Sequence, residues 1–284
     1  MKAMACILAV LIVILFITGG SSPLEGVASA MGDSQTAALT MKPLSRSEDV
    51  QRKQETGHIK LMSYNMHRGI GQDGKLNLDR TAAVIKSSQA DIVALQEVER
   101  YSIRTGFQDQ IKKLSEASGV NYAYGKSLHV LNGEYGNGLL SKYPIQEYEV
   151  YELPSYSEQR TVLKAIINID GYTMAVYNTH LGLKEAERKD QTEYIMQLLS
   201  QETFDYVLMG DMNSRSNRLS AFTDKLTDSA QGSEKAEQST FAEGEVQERI
   251  DYIFAAPGLK VLGYDVISSE ASDHNPVICE IEIK

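Results

Sequence analysis

The chain has 284 residues, 42% of them hydrophobic, with a formal net charge of −10 and a pI near 5.1. That length suits one or two domains with a sizeable core. The acidic balance excludes a protein that coats nucleic acid through bulk charge, although a cleft can still carry a local basic field. Two cysteines, Cys6 and Cys279, give no basis for a disulfide framework.

Met4 to Ile17 is unbroken apolar sequence behind Lys2. As a helix it reaches only ~21 Å at ~1.5 Å per residue, short of a hydrocarbon core of ~30 Å. Ala28-Ser29-Ala30 supplies an A-x-A cleavage site. Residues 1–30 are therefore expected to be a signal peptide, with an uncleaved membrane anchor as the alternative; both place the domain outside the cytoplasm. Cys6 lies at the start of the apolar run and is not read as a lipid-attachment site. Residues 31–57 are polar, lack a period and read as a linker. The domain is expected over 58–284, with Cys279 buried in its last apolar alternation.

Within the domain, strands and helices alternate. Residues 59–65 read as a strand, 78–89 as a helix, 91–96 as a buried strand and 107–118 as a helix. A short strand near Tyr122 follows, then strands at 137–141 and 146–152, broken by Tyr143-Pro144. Strands 161–169 and 173–180 form a hairpin about Asp170-Gly171. Residues 183–200 are the longest helix, and strands follow at 206–211, 249–255, 261–266 and 275–283. The hairpins exclude a purely parallel doubly wound sheet and point to a mixed α/β domain with packed sheets and outer helices.

Polar residues gather at the ends of these strands: Asn65, Glu97, His180, Asp211 with Asn213, Asp251, and Asp273-His274. A carboxylate beside a buried strand is expensive unless solvated, paired or bound to metal. Strand ends in α/β architectures are where ligand clefts form. Glu97, Asp211, Asp273 and the amide oxygens of Asn65 and Asn213 are hard donors that suit Mg²⁺ or Mn²⁺ over Zn²⁺. His274, oriented by a carboxylate such as Asp251, suits a general base for water. His180 suits a hydrogen bond to phosphate.

Seven segments, Tyr64-Asn65, Leu95-Gln96-Glu97-Val98, the run from Gly138 to Ile145, Asn178-Thr179-His180, Gly210-Asp211-Met212-Asn213, Arg249-Ile250-Asp251-Tyr252 and the run from Ser272 to Pro276, together resemble the ordered motifs of the endonuclease/exonuclease/phosphatase superfamily. The resemblance covers about residues 59–283. It implies a four-layer α/β sandwich with two central mixed β-sheets flanked by helices. It further implies Glu97 as the main Mg²⁺ ligand assisted by Asn65, and a His274–Asp251 base dyad. Asp211 and Asn213 would position water and a phosphate oxygen, Asp273 would support the metal and His274, and His180 would bind phosphate. His67 stands where abasic-site endonucleases of the family carry an acidic ligand, which weakens a DNA-repair role.

The expectation is an exported, Mg²⁺-dependent phosphoesterase, in the first place a phosphodiesterase, monomeric and without a stable protein partner. Its substrate could be nucleic acid, a phospholipid headgroup or a small phosphoester, because these motifs leave the leaving group to the loops. Arg68, Arg100, Arg104, Arg160, Arg188, Arg215 and Arg249 stand beside the motifs and could make the cleft basic. Two other readings exist. A non-catalytic binding module could keep this shape. Gly69-Ile70-Gly71-Gln72-Asp73-Gly74 also spells a dinucleotide-binding fingerprint, although Gln-Asp-Gly-Lys reads as a turn ahead of the helix.

Overall fold

A computed structural model describes residues 57–284. The predicted export segment, and all of the predicted linker except Gly57, lie outside the described residues. Gly57 already belongs to the first strand.

The chain runs β1 (Gly57–Asn65), α1 (Leu78–Ser88), β2 (Ile92–Arg100), α2 (Gln110–Ser118), β3 (Asn121–Val130), β4 (Gly133–Ser141), β5 (Ile145–Glu152), β6 (Thr161–Ile169), β7 (Tyr172–His180), α3 (Glu185–Ser200) and β8 (Asp205–Asp211). It continues through α4 (Ser220–Thr223), β9 (Thr227–Asp228), β10 (Phe241–Glu243), β11 (Val246–Glu248), β12 (Asp251–Ala255), β13 (Lys260–Val266) and β14 (Val277–Ile283). One six-stranded sheet has the order β13-β14-β1-β2-β4-β3 and the other β5-β6-β7-β8-β12-β9, while β10 and β11 form a separate ribbon. Each large sheet is mixed, because β1–β2 and β7–β8 are parallel within otherwise antiparallel pairings.

The period of two in each strand decides the layers. Ile59 and Leu61 of β1, Met174 and Val176 of β7, Val207 and Met209 of β8 and Ile253 and Ala255 of β12 share one core between the sheets. The alternate positions face outward: Met62, Tyr64 and Val93 pack with Ala82, Ile85, Ile111 and Leu114 of α1 and α2. Tyr177, Leu208 and Phe254 pack with Ile195, Leu199 and Phe222 of α3 and α4. The result is the four-layer α/β sandwich expected from the motifs. Cys279 lies buried in the inter-sheet core, and burial pushes its thiol up to about 12, which leaves it inert. Among the described residues, no helix is long and apolar enough to cross a membrane.

Several boundaries differ from the sequence pattern. Helix α2 starts at Gln110 rather than residue 107, because the Asp109 carboxylate caps it by accepting from Lys112 N–H. The short strand expected near Tyr122 is the ten-residue β3, joined to β4 through Leu131 and Asn132, both at positive φ. That two-residue turn lies one residue ahead of the dipeptide Asn132-Gly133, a pair that itself favours hairpin turns. Helix α3 begins at Glu185 rather than 183. The Asp170-Gly171 hairpin turn stands where expected, with φ of 51° and 101°. The glycine-rich segment Gly69–Gly74 is a loop closed by Gly74 N–H to the Gly71 carbonyl. Its third glycine is outside α1, whose first turn is capped by Asn77, so the helix dipole and Gly74 do not form a dinucleotide cradle.

Candidate active site

The strands that build the inter-sheet core also build the site. Continuing the inward-facing positions in steps of two gives Asn65 after Ile59 and Leu61, and Asp211 after Val207 and Met209. It likewise gives His180 beyond Met174 and Val176, and Asp251 ahead of Ile253 and Ala255. In the second sheet His180 pairs with Asp211 and Asp211 with Asp251, so three functional side chains stand in one row across β7, β8 and β12. Asp273 and His274 come from the loop that enters β14, whose antiparallel pairing with β1 brings them beside Asn65.

Glu97 arrives by a different device. Its backbone has φ +58°, and the β2–β4 register shifts between Leu95 and Val98. This is a β-bulge: one extra residue re-aims the side chain. A β-strand therefore runs on to Arg100, past the end expected at residue 96. The Asn65 Nδ2 donates to Glu97 Oε1 at 3.3 Å and to Asp211 Oδ2 at 3.0 Å, tying the two sheets' carboxylates together. Asn65 Oδ1 accepts from the His67 N–H at 3.0 Å. The amide thus turns its nitrogen toward the carboxylates and its oxygen away, whereas a metal ligand at this position needs the oxygen.

Asp211 is the centre of the cluster. Its Oδ2 lies 3.4 Å from His180 Nε2 and 3.7 Å from His274 Nε2, and its Oδ1 accepts from the Asn213 N–H at 2.8 Å. His274 Nδ1 lies 2.8 Å from Asp251 Oδ2. The expected dyad is therefore present as a hydrogen-bonded pair. Asn213, at φ +46°, spends its Nδ2 on the Leu181 carbonyl. Asp273 immediately precedes His274, with Oδ1 accepting from Ser272 Oγ at 3.1 Å and lying 3.4 Å from His67 Nδ1. All eight expected residues thus meet at one end of the sandwich.

Electrostatics divides them. Burial, then the Asp251 carboxylate, pushes Asp211 up to about 7 against the pull of His274 and two N–H donors. Burial opposes charge on His274, yet Asp251, Asp211 and Asp273 outweigh it and push the imidazole up to about 10. Burial, then the cationic Arg160 and His274, holds His180 well below its ordinary value, so it is neutral.

A divalent cation fits the donors present. Glu97 Oε2 is buried without a hydrogen-bond partner, with only Arg68 Nη1 at 3.4 Å. An orphaned carboxylate oxygen of this kind calls for an ion or water. Asp211, Asp251 and His274 also bring one ligand atom each within 4.8 Å of one another. The sequence pattern did not single out that second grouping as a metal set.

Other contributors escaped the sequence pattern. Thr240 Oγ1 accepts from both Ile250 and Asp251 N–H groups at 3.0 Å, fixing the start of β12. The Phe241 ring lies 4.9 Å from the His274 ring. Asn178 crosses between the sheets, donating to the Leu95 and Gly138 carbonyls at 2.9 and 2.8 Å and accepting from Gln96 Nε2 at 2.8 Å. Only Asn178 had a usable signal: it occupies an inward-facing strand position where an apolar residue belongs.

The family model described as Endonuclease/Exonuclease/phosphatase family matches residues 62–274. The protein YbhP of Escherichia coli strain K12, itself uncharacterized, is 29% identical over 170 residues, which is 55% of this chain. The aligned part spans 66% of that relative's length. Among solved structures, an endonuclease/exonuclease/phosphatase from Beutenbergia cavernae superposes with a TM-score of 0.68 at 23% identity, covering 80% of this chain and 72% of that one. The mannosyl-6-phosphatase Bt3783 of Bacteroides thetaiotaomicron superposes with a TM-score of 0.64 at 21% identity, covering 78% and 99%. At these identities the two structures share the fold.

Proposed function

The chain belongs to the endonuclease/exonuclease/phosphatase family, and on that premise we propose that it hydrolyses a phosphate ester, a diester in the first instance, by attack of an activated water. The observation that carries this reading is the position of Asp211: a buried carboxylate, poised near neutrality, within 3.7 Å of His180, Asn65 and His274 together.

The chain's own groups divide the work as follows. Asp211 accepts the proton of the attacking water, because it is the basic group that changes state near neutral pH. His274 enters the sequence pattern as the base. Its three neighbouring carboxylates favour the imidazolium, so here it offers a charged N–H from Nε2 to a phosphate oxygen. Asp251 orients that ring through Nδ1 and stabilises its charge. His180, neutral, donates from Nε2 to a second oxygen. Asn65 holds Asp211 and Glu97 in place. Glu97 would be the principal ligand for a divalent cation, with Asp273 in support; Asn65 would join them only with its amide turned, giving up its bonds to Glu97 and Asp211. Mg²⁺ or Mn²⁺ is the ion that hard oxygen donors favour, and when bound it would offset the negative charge of the phosphate.

Export is part of the proposal. The short apolar run and the Ala28-Ser29-Ala30 site support a mature enzyme outside the cytoplasm beginning near Met31. Mass spectrometry of secreted protein checks this, and an intact Met1 in a membrane fraction would assign the anchor instead. The reaction itself is tested with a bis-aryl phosphodiester, an aryl phosphomonoester, and then DNA, RNA and phospholipids, each with Mg²⁺. Turnover of any of them that disappears in Asp211→Asn supports the reading. No turnover across the panel, in protein that still binds Mg²⁺, would make the domain a binding module.

A further inference from the structure

Several arginines near the site lie against carboxylates that are largely shielded from solvent. Arg249 and Asp228 are both largely shielded, with side-chain exposures of 11% and 15%. Arg100 is 24% exposed and its partner Asp109 10%; Arg104 is 36% exposed and its partner Glu99 0%. Arg160 is buried against a carboxylate that lies in solvent. Its guanidinium is 7% exposed, while its carboxylate partner, Glu158, is 48% exposed. Arg160 Nη1 lies 3.1 Å from Glu158 Oε1, yet neither Nη1 nor Nε makes an aligned hydrogen bond. A buried cation with two unused donors and a partner in solvent is an expensive arrangement unless another anion completes it.

The strand register brings Arg160 beside the active site. Arg160 immediately precedes β6, whose Val162 pairs with Thr179, so the guanidinium's strand start lies alongside His180. The Arg160 charge acts on His180, and Arg160 and Glu97 both act on the buried Tyr135 hydroxyl. The main chain that presents Arg160 is pinned on both sides: its N–H donates to Ser155 Oγ at 3.0 Å, and its carbonyl accepts from Leu153 N–H at 2.9 Å and Gln159 Nε2 at 2.8 Å. The guanidinium is therefore carried on a fixed base, whereas Glu158 hangs from the exposed side of the same loop.

We propose that Arg160 is a phosphate-binding group of the active site and that Glu158 is a displaceable stand-in, holding the guanidinium until the substrate's phosphate takes its place. The inference rests on the phosphoester reading of the same site and adds its charge logic. His180 is neutral, so Arg160 would add positive charge on its side of the cleft to that of the His274 imidazolium. A guanidinium fork suits two phosphate oxygens better than one exposed carboxylate in water.

The two residues should then act in opposite directions. Titration calorimetry of the full chain with inorganic phosphate at saturating Mg²⁺, and with Mg²⁺ alone, reads both. Arg160→Met is expected to weaken phosphate binding by about 10- to 100-fold, the scale of a charged hydrogen bond. Glu158→Gln is expected to tighten it by about two- to five-fold, the scale of a half-exposed ion pair removed. Mg²⁺ affinity should not move in either. A merely structural Arg160 would give no tightening in Glu158→Gln. Wild-type phosphate affinity in folded Arg160→Met, or unchanged or weaker binding in Glu158→Gln, would overturn the proposal. If Arg160→Met does not fold, Glu158→Gln decides alone. Phosphate binding needs no turnover, so the two ideas fail separately. Phosphate held through Arg160 by a protein that hydrolyses no ester removes the reaction and keeps this site; undiminished hydrolysis and phosphate binding in Arg160→Met removes this site alone.

Discussion

The two carboxylates joined by Asn65 live in different surroundings. Glu97 sits on a bulge of β2, its side chain 16% exposed beside the guanidinium of Arg68. Asp211 ends the regular strand β8, its side chain 2% exposed among two histidines and a second carboxylate. The difference teaches how one end of a sandwich can hold two chemistries. A carboxylate that is only partly shielded and has one unpartnered oxygen can exchange its partner, which suits an ion that comes and goes. A carboxylate walled off from water has its proton affinity raised, which suits proton transfer near neutral pH.

Removing the cation should have the largest effect. With excess EDTA, hydrolysis is expected to fall to the uncatalysed background and to return with Mg²⁺ or Mn²⁺; full activity in chelator would erase the division between the two carboxylates. Next is Asp211→Asn, expected to lower kcat by ~10²–10⁴-fold with Mg²⁺ affinity nearly unchanged, as for loss of a general base. Single-turnover kinetics beside metal titration checks it, and a large loss of metal affinity would merge the two roles. Glu97→Gln should do the reverse, raising the Mg²⁺ concentration for half-activation by at least ~10-fold while excess metal restores much of the rate. His180→Ala should leave that concentration where it is. The finest distinction is in pH. Asp211 must lose its proton and His274 must keep its own, so kcat/KM should climb as pH passes about 7 and decline toward about 10. The two limbs report the coupled cluster rather than isolated residues. Asp251→Asn removes the anion that most raises His274, so the declining limb should move to lower pH. A profile that rises once and stays flat to high pH would return the base role to His274.

Much of this site was legible because strand alternation is strict. Once residues 59 and 61 are placed in a core, Asn65 falls on the same face, and the same counting carries Asp211 from Val207 and Met209. The Asp170-Gly171 turn was legible because its two residues tolerate positive φ. The Glu97 bulge was not, since no glycine marks it and a regular strand would send that side chain to the opposite face. Thr240 and Phe241 were not assigned roles because their contacts to Asp251 and His274 cross loops that carry no period, and Arg160 was legible only as one of seven arginines beside the motifs. The 212–248 stretch, with its short strands β9, β10 and β11, yielded no elements for the same reason. The proton affinities were beyond reach, because they follow from burial and from charges brought together by tertiary packing.

The positive φ of Glu97 has an evolutionary consequence. A bulky residue in the left-handed region costs about 1–3 kcal/mol, and glycine does not bear that penalty. Position 97 therefore sets endurance against work. In a library selected only for survival of heating, Glu97→Gly should be enriched, and the enriched proteins should be inactive. The glutamate persists only where selection acts on turnover, so a heat-selected lineage of this fold would be expected to lose its chemistry first at the bulge.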